Sequence, residues 1–86
     1  MNVRIPTPLR SYTGGLASVE AEGSTVAEVL HDLDRQYPGM RFRMVDEQGV
    51  LRQHMVVWLG GERCRELSAS VVDFDEVVLM QALSGG

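Results

Sequence analysis

The sequence lacks lysine, has a single cysteine and contains no long apolar run, and each shortage excludes a class of protein. All eight basic residues are arginine, so no side-chain amine can accept an isopeptide-linked tag. Cys64 alone cannot form an internal disulfide, a zinc site or an iron–sulfur site. The longest apolar run, from Met55 to Leu59, is far below the roughly 20 residues of a membrane-spanning helix, so we expect no membrane partner.

Basic charge is also scarce, which bears on the partners of the protein. The chain carries 8 basic and 12 acidic residues, for a net charge of −4. A protein that binds the phosphate backbone of nucleic acid normally presents a basic face, so we expect no nucleic-acid partner. A length of 86 residues allows one domain with a thin core. Because no signal-peptide pattern is present, we expect a cytoplasmic protein.

The first part of the chain predicts a hairpin. Apolar residues alternate from Val3 to Leu9, which is typical of a strand. Pro6 and Pro8 each lack a backbone donor, so one side of this strand cannot be fully paired. A turn over residues 13–15 leads into a second predicted strand over Leu16–Glu22.

A helix is predicted next. Thr25 and Glu28 have the spacing of a capping box at its start, and Pro38-Gly39 ends it. Apolar side chains then recur at helical spacing and predict one buried stripe: Val26, Val29, Leu30, Leu33 and Tyr37.

The second half of the chain predicts the remaining strands. The segments are a short helical turn or irregular loop over Met40–Val45, strands over Leu51–Leu59, Glu62–Arg65 and Val77–Leu83, and a crossing segment over Leu67–Val72.

This order indicates an α+β class and a β-grasp fold, a mixed sheet of four to five strands with one main helix packed across it. We expect the last strand to lie centrally, parallel to the first. Residues 1–83 form the single predicted domain, and residues 84–86 a flexible C-terminal tail.

The end of the chain is its most informative feature. Gly85 and Gly86 follow a predicted strand and the small residue Ser84. An extended segment of such small residues can enter a narrow channel of a partner enzyme and present its terminal carboxylate there. Activation with ATP would make Gly86 an acyl-adenylate, and attack by sulfide or a persulfide would leave a thiocarboxylate. Chance is the alternative, since two terminal glycines arise in roughly one sequence in two hundred.

Strand parity predicts a docking surface on the outer face of the sheet. If Met55, Val57 and Leu59 face the helix, then alternate residues of the same two strands face away and form an exposed apolar patch. This patch comprises Val56, Trp58, Val78 and Met80, and continues into Leu83 and Ser84 at the tail. The alternative is an inverted parity that places Trp58 in the core.

Other chemically capable residues have simpler interpretations. Cys64 alternates with two arginines, which is typical of a small inward hydrophobe. Two isolated histidines do not define a metal site, and an acidic cluster near residue 75 is typical of a solvated turn. Three arginines form a basic strip that could meet an acidic partner, although a solvated face is the default: Arg41, Arg43 and Arg52.

The whole chain resembles the MoaD/ThiS group of ubiquitin-like sulfur carriers, and within it the CysO type. The resemblance is carried by Ile5-Pro6-Thr7, Leu9-Arg10, Thr13-Gly14-Gly15, Gly23-Ser24-Thr25-Val26, Asp75-Glu76-Val77 and Ala82-Leu83-Ser84-Gly85-Gly86. It implies a carrier that is not itself an enzyme and binds no cofactor. A ubiquitin-activating-type adenylyltransferase/sulfurtransferase would use ATP to load Gly86, and a sulfur-accepting synthase would unload it, in cysteine biosynthesis.

Two departures and three alternatives accompany this resemblance. The family usually has Gly-Asp where this chain has Phe74-Asp75, and often has proline where this chain has Gln81. One alternative is a MoaD-type small subunit of molybdopterin synthase, in lasting complex with a larger subunit. Another is a ubiquitin-like modifier conjugated through Gly86. The third is an interaction domain whose terminal glycines have no function.

Overall fold

A five-stranded mixed sheet organises the protein, in a computed structural model that describes residues 1–82. The elements are β1 (Asn2–Arg4), a 3-10 helix (Thr7–Thr13), β2 (Ser18–Glu20), α1 (Val26–Gln36), α2 (Met40–Met44), β3 (Met55–Leu59), β4 (Glu62–Cys64) and β5 (Glu76–Gln81). The strand order is β2-β1-β5-β3-β4. The last strand is central and parallel to β1, which confirms the predicted β-grasp arrangement.

The predicted strand over Val3–Leu9 is wrong beyond Arg4, because the two prolines start a helix instead. Pro6 has extended angles and caps the 3-10 helix, and Pro8 lies in its first turn. Proline fits there because the first backbone N–H groups of a helix have no partner within the helix. Leu9 is still buried, now as a helical residue. β2 is correspondingly shorter than predicted and pairs with β1 as an antiparallel hairpin.

The main helix α1 begins at its predicted cap. The Thr25 hydroxyl accepts a hydrogen bond from the Glu28 backbone N–H at 3.2 Å. The Glu28 carboxylate reaches back to the Ser24 N–H at 2.8 Å, one residue before the position that a capping box specifies. Four residues of the predicted stripe are buried, and Tyr37 is half-buried at the C-cap.

The crossing segment over Leu67–Val72 closes the start of α1. The Ala69 carbonyl accepts from the Val26 N–H at 3.0 Å, and the Leu67 carbonyl accepts from the Ala27 N–H at 2.8 Å. These bonds satisfy helix donors that have no partner within the helix. The segment therefore crosses the helix terminus without joining the sheet as a strand.

The third strand is shorter than the prediction over Leu51–Leu59. It begins at Met55, whereas Leu51 forms an isolated bridge with Val45. The turn between these two residues is stabilised by the Asp46 carboxylate, which accepts from the N–H groups of Gln48 and Val50. The ambiguous stretch after Gly39 forms the short helix α2.

The core lies between the inner face of the sheet and the two α-helices. Fully buried residues of both layers meet there, among them Val3, Met55, Val57, Val77 and Leu79 from the sheet and Leu30, Leu33, Met40 and Met44 from the helices. None of the helices in the described part of the chain combines the length and apolar character needed to cross a membrane.

Asp32 ties α1 to the end of the hairpin and is expected to make stability depend on pH. Its carboxylate accepts from the Glu22 backbone N–H at 2.9 Å and from Arg35 Nε at 2.9 Å. The backbone hydrogen bond, followed by the one from Arg35, lowers the pKa of Asp32 below its ordinary value of 3.8. The folded state therefore favours the ionised form, and this stabilisation is present above pH 3.8 and lost as acidification protonates the group.

We expect Asp32→Asn to weaken the acid dependence of stability. The measurement is the urea midpoint of the two proteins at neutral pH and at pH values below 3.8. The difference between wild type and variant should shrink as the pH falls. Glu47→Gln is the matched control, because this exposed carboxylate accepts no hydrogen bond from residues 1–82. A constant difference between wild type and Asp32→Asn at all pH values would contradict the prediction.

Candidate functional site

The central strand β5 ends at Gln81, at one end of the sheet and close to the C-terminus of the sequence. Its register ends with Gln81 opposite Met55. One more backbone bond follows, from the Ala82 N–H to the His54 carbonyl at 2.7 Å. The predicted reactive Gly86, its neighbour Gly85, and the predicted contact residues Leu83 and Ser84 lie outside the described residues. The structure therefore places the point of departure beside His54.

The predicted parity of the outer sheet face is confirmed. Met55, Val57 and Leu59 are buried in the core with Val77 and Leu79. The alternate residues form cross-strand pairs on the opposite face, Trp58 with Val78 and Val56 with Met80.

Exposure along this face is uneven. Met80 is 46% exposed, whereas Trp58 and Val78 are half-buried. The prediction that Val56 is exposed is wrong, because only 5% of it is accessible. Long side chains flank it on both neighbouring strands: Met80 lies opposite, and Arg65 reaches past the end of β4 to the Met55 carbonyl at 3.2 Å. The accessible apolar surface is therefore centred on Met80 and the edges of Trp58 and Val78.

A shallow groove of about 370 Å³ crosses this face toward the start of β5. Its apolar walls are Trp58, Phe74, Val78 and Met80, and Asp75 and Glu76 line its end with Gly60 and Gly61. The indole Nε1 of Trp58 is buried and has no hydrogen-bond partner within residues 1–82. Tryptophan is enriched at partner surfaces, so a role for Trp58 in docking stays a prediction.

Phe74 occupies the position of the first departure from the family pattern. Its ring packs on Gly60, where a Cβ atom would lie 2.6 Å from Phe74 Cε1. Gly60 also has a φ of 57°, a left-handed conformation that favours glycine. Among the described residues only glycines have positive φ, so the turn at Phe74 needs no strained backbone. The Phe74 side chain instead closes one end of the groove.

A basic cluster lies at the opposite end of the sheet, next to the departing chain. Phe42, Arg43, Arg52 and His54 surround a hollow of about 320 Å³. The Arg52 guanidinium carbon lies 4.7 Å from the centroid of the Phe42 ring, in cation–π contact, and Arg52 Nε donates to the Phe42 carbonyl at 2.8 Å. Of the predicted basic strip, the structure brings Arg43 and Arg52 together, but half-buried Arg41 does not line the hollow.

The remaining chemically capable residues lie apart from these two surfaces. Cys64 is half-buried and packs against the core, as predicted for a small hydrophobe. Its thiol lies 3.5 Å from the Glu66 carbonyl. Within residues 1–82, no three histidine, cysteine, aspartate or glutamate side chains converge closely enough to hold a metal ion.

Comparison with known proteins agrees with this geometry. The family model described as ThiS family matches residues 3–86. The sulfur carrier protein CysO of Mycobacterium tuberculosis is 35% identical over 91 residues, covering 100% of this chain and 98% of the relative.

Two solved structures superpose along the full chain. A chain of the Amycolatopsis orientalis BexX/CysO complex gives a TM-score of 0.89 at 39% identity, covering 99% of this chain and 98% of that chain. SAMP1 from Haloferax volcanii gives a TM-score of 0.76 at 27% identity, covering 100% of this chain and 98% of that chain.

Proposed function

The chain belongs to the ThiS family, and from that premise we propose that it carries sulfur as a thiocarboxylate on Gly86. The observation that carries the proposal is the relationship over 100% of the chain, at 35% identity, to a protein named as a sulfur carrier. The relatives are named as carriers and not as catalysts. In this proposal a partner enzyme recognises the folded domain, and the chemistry takes place on Gly86.

Loading requires an adenylyl transfer followed by an acyl transfer, both catalysed by the partner. A carboxylate oxygen of Gly86 attacks the α-phosphorus of ATP, and pyrophosphate leaves, which gives a mixed anhydride with AMP. Hydrosulfide then attacks the glycyl carbonyl carbon, AMP leaves and one proton is released. A persulfide donor would first give an acyl disulfide, which a thiol must reduce to free the thiocarboxylate. ATP therefore acts at the partner, and we propose no nucleotide site on this chain.

The described residues support this role through rigidity at the point of departure. β5 is paired on both sides, with β1 and with β3, and its inward residues Val77 and Leu79 are buried. Pairing and burial fix the direction in which the chain leaves at Ala82. A partner that binds the outer sheet face therefore meets Ala82 at a defined position. Because loading consumes ATP, we propose that the carrier works in the cytoplasm.

Intact-mass spectrometry tests the function directly. The protein is incubated with ATP, sodium sulfide and an extract of its source cells, and replacement of one oxygen by sulfur should add about 16 Da. Omission of ATP is the control and should leave the mass unchanged. A mass that stays constant in the complete mixture would contradict the proposed function. Within it, the CysO relatives favour cysteine biosynthesis as the destination of the sulfur.

Conjugation to other proteins is the second candidate function. The likeness to SAMP1, which a second solved structure from H. volcanii describes as small archaeal modifier protein 1, favours it. A lysine amine of a target protein would then attack the glycyl carbonyl carbon of the same adenylate, AMP and a proton would leave, and an isopeptide bond would be the product. Digestion of source-cell protein followed by mass spectrometry distinguishes the two functions, because a modifier leaves remnants of its C-terminal residues on lysines of other proteins.

A further inference from the structure

The basic cluster beside the departing chain is not explained by docking on the outer sheet face. We call Phe42, Arg43, Arg52 and His54 the exit cluster. His54 joins it to the departing chain, because its carbonyl accepts the Ala82 N–H at 2.7 Å. Arg52 is fixed to α2 by two bonds, from its backbone N–H to the Met44 carbonyl and from its Nε to the Phe42 carbonyl, both at 2.8 Å.

The positive charge of the exit cluster is uncompensated in the described part of the chain. The ion pairs among residues 1–82 join the N-terminus to Glu20 and Arg35 to Asp32, and neither includes Arg43 or Arg52. Asp46 is the next carboxylate along the chain after α2, and its oxygen accepts two backbone N–H groups of its own turn. Phe42 is 59% exposed, so the cluster presents an apolar ring among guanidinium groups.

Acidic residues gather at the other end of the same strands. Glu76 begins β5, next to Asp75, and Glu62 begins β4 opposite Leu59. The sheet is thus acidic where β5 starts and basic where it ends. In a chain with a net charge of −4, the exit cluster is a local concentration of positive charge that attracts an acidic surface.

The distance to the proposed reacting residue determines what the exit cluster meets. Gly86 is four residues beyond Ala82, and four extended residues span at most about 14 Å. A partner that holds Gly86 in its active-site channel must therefore bring the mouth of that channel against the residues flanking Ala82. The exit cluster lies at that position.

We infer that the exit cluster binds an acidic rim at the mouth of the activating partner's channel. The inference rests on the proposed function, because it takes Gly86 as the residue inside the channel. Arg52 and Arg43 pair with aspartate or glutamate side chains of the rim, and Phe42 covers apolar surface between them. Planar guanidinium groups suit two-pronged carboxylate pairing. The same charges orient the encounter so that the C-terminal end arrives first.

Charge reversal at Arg43 tests the inference. Arg43 is exposed and makes no hydrogen bond through its side chain within residues 1–82, so Arg43→Glu should leave the fold intact. The readout is the initial rate of the ATP-dependent mass gain with sodium sulfide in source-cell extract. We expect a decrease of roughly tenfold at low ionic strength, and a much smaller difference near 0.5 M salt, where charges are screened within a few ångströms.

Arg35→Gln and Arg43→Gln provide the matched pair. Each removes one positive charge from an exposed arginine, but Arg35 lies on α1 near Glu20 and Met1, away from the exit. We expect about a threefold decrease for Arg43→Gln and none for Arg35→Gln. Equal rates for wild type and Arg43→Glu at low salt would overturn the inference and leave the proposed function standing.

Two further outcomes would also overturn the inference that the exit cluster binds an acidic rim. A faster Arg43→Glu variant would indicate that the cluster holds the chain's own C-terminal carboxylate and delays its entry into the partner. A wild-type protein that gains no mass under any condition would overturn the proposed function, and this inference with it.

Discussion

Deleting Gly85 and Gly86 is expected to abolish the ATP-dependent mass gain and to leave the folded domain unchanged. The deleted chain still ends in a carboxylate, on Ser84, but that group lies about 7 Å short of the original position. Acyl transfer requires the reacting atoms to approach within about 3–3.5 Å in the correct orientation, so a shift of this size should prevent adenylation. The measurements are the intact mass after incubation and the urea midpoint of the purified variant.

Two control variants test whether loading depends on the position of the terminal carboxylate or on the side chains near it. Ser84→Ala keeps the length of the chain and removes only the hydroxyl of a predicted contact residue, so it should slow loading far less than the deletion does. Gly86→Ala keeps the carboxylate but adds a methyl group beside the reacting carbon, and should be loaded more slowly. The urea midpoint should be the same in all variants, because the buried residues found within 1–82 all precede Gln81. Loading of the shortened chain at the wild-type rate would show that the reacting group is elsewhere.

The fold could be predicted where burial repeats at a regular period. The stripe on α1 and the alternation along β3 and β5 are direct consequences of a two-layer core, and both are observed, except that Val56 of β3 is buried as well. Two predicted strands are too long, because proline and turn geometry override the alternation of apolar residues there. Pro6 and Pro8 permit an alternating strand pattern but start a 3-10 helix. Leu51 fits the periodicity of β3 but is separated from it by the turn before Met55.

The candidate site could be predicted only in part, for a related reason. Parity assigned Trp58, Val78 and Met80 to the outer face, because side chains alternate along any strand. The burial of Val56 depends on how the side chains of the neighbouring strands are arranged, and no pattern in the sequence encodes that. The exit cluster combines α2 and the segment that leads into β3. Two of its arginines were visible as a basic strip, but their proximity to the departing chain depends on the register that pairs β3 with β5.

Met80→Glu is expected to weaken recognition by the activating partner more than any other single change on the outer sheet face. Met80 is 46% exposed and lies between the groove beside Trp58 and the end of β5. A carboxylate there must lose its hydration when an apolar partner surface covers it. Central apolar contacts of an interface contribute 2 kcal/mol or more, so we expect an increase of about 30-fold in the KM of the loading reaction.

The dependence of the loading rate on carrier concentration separates docking from chemistry. A docking defect raises KM and leaves kcat near the wild-type value, because Gly86 is unchanged once the complex has formed. Leu16→Glu is the matched control: Leu16 is 52% exposed, next to β2 at the far edge of the sheet, and the same substitution there should not alter KM. If both variants raised KM equally, added negative charge would be the cause. If neither did, the partner would bind another surface.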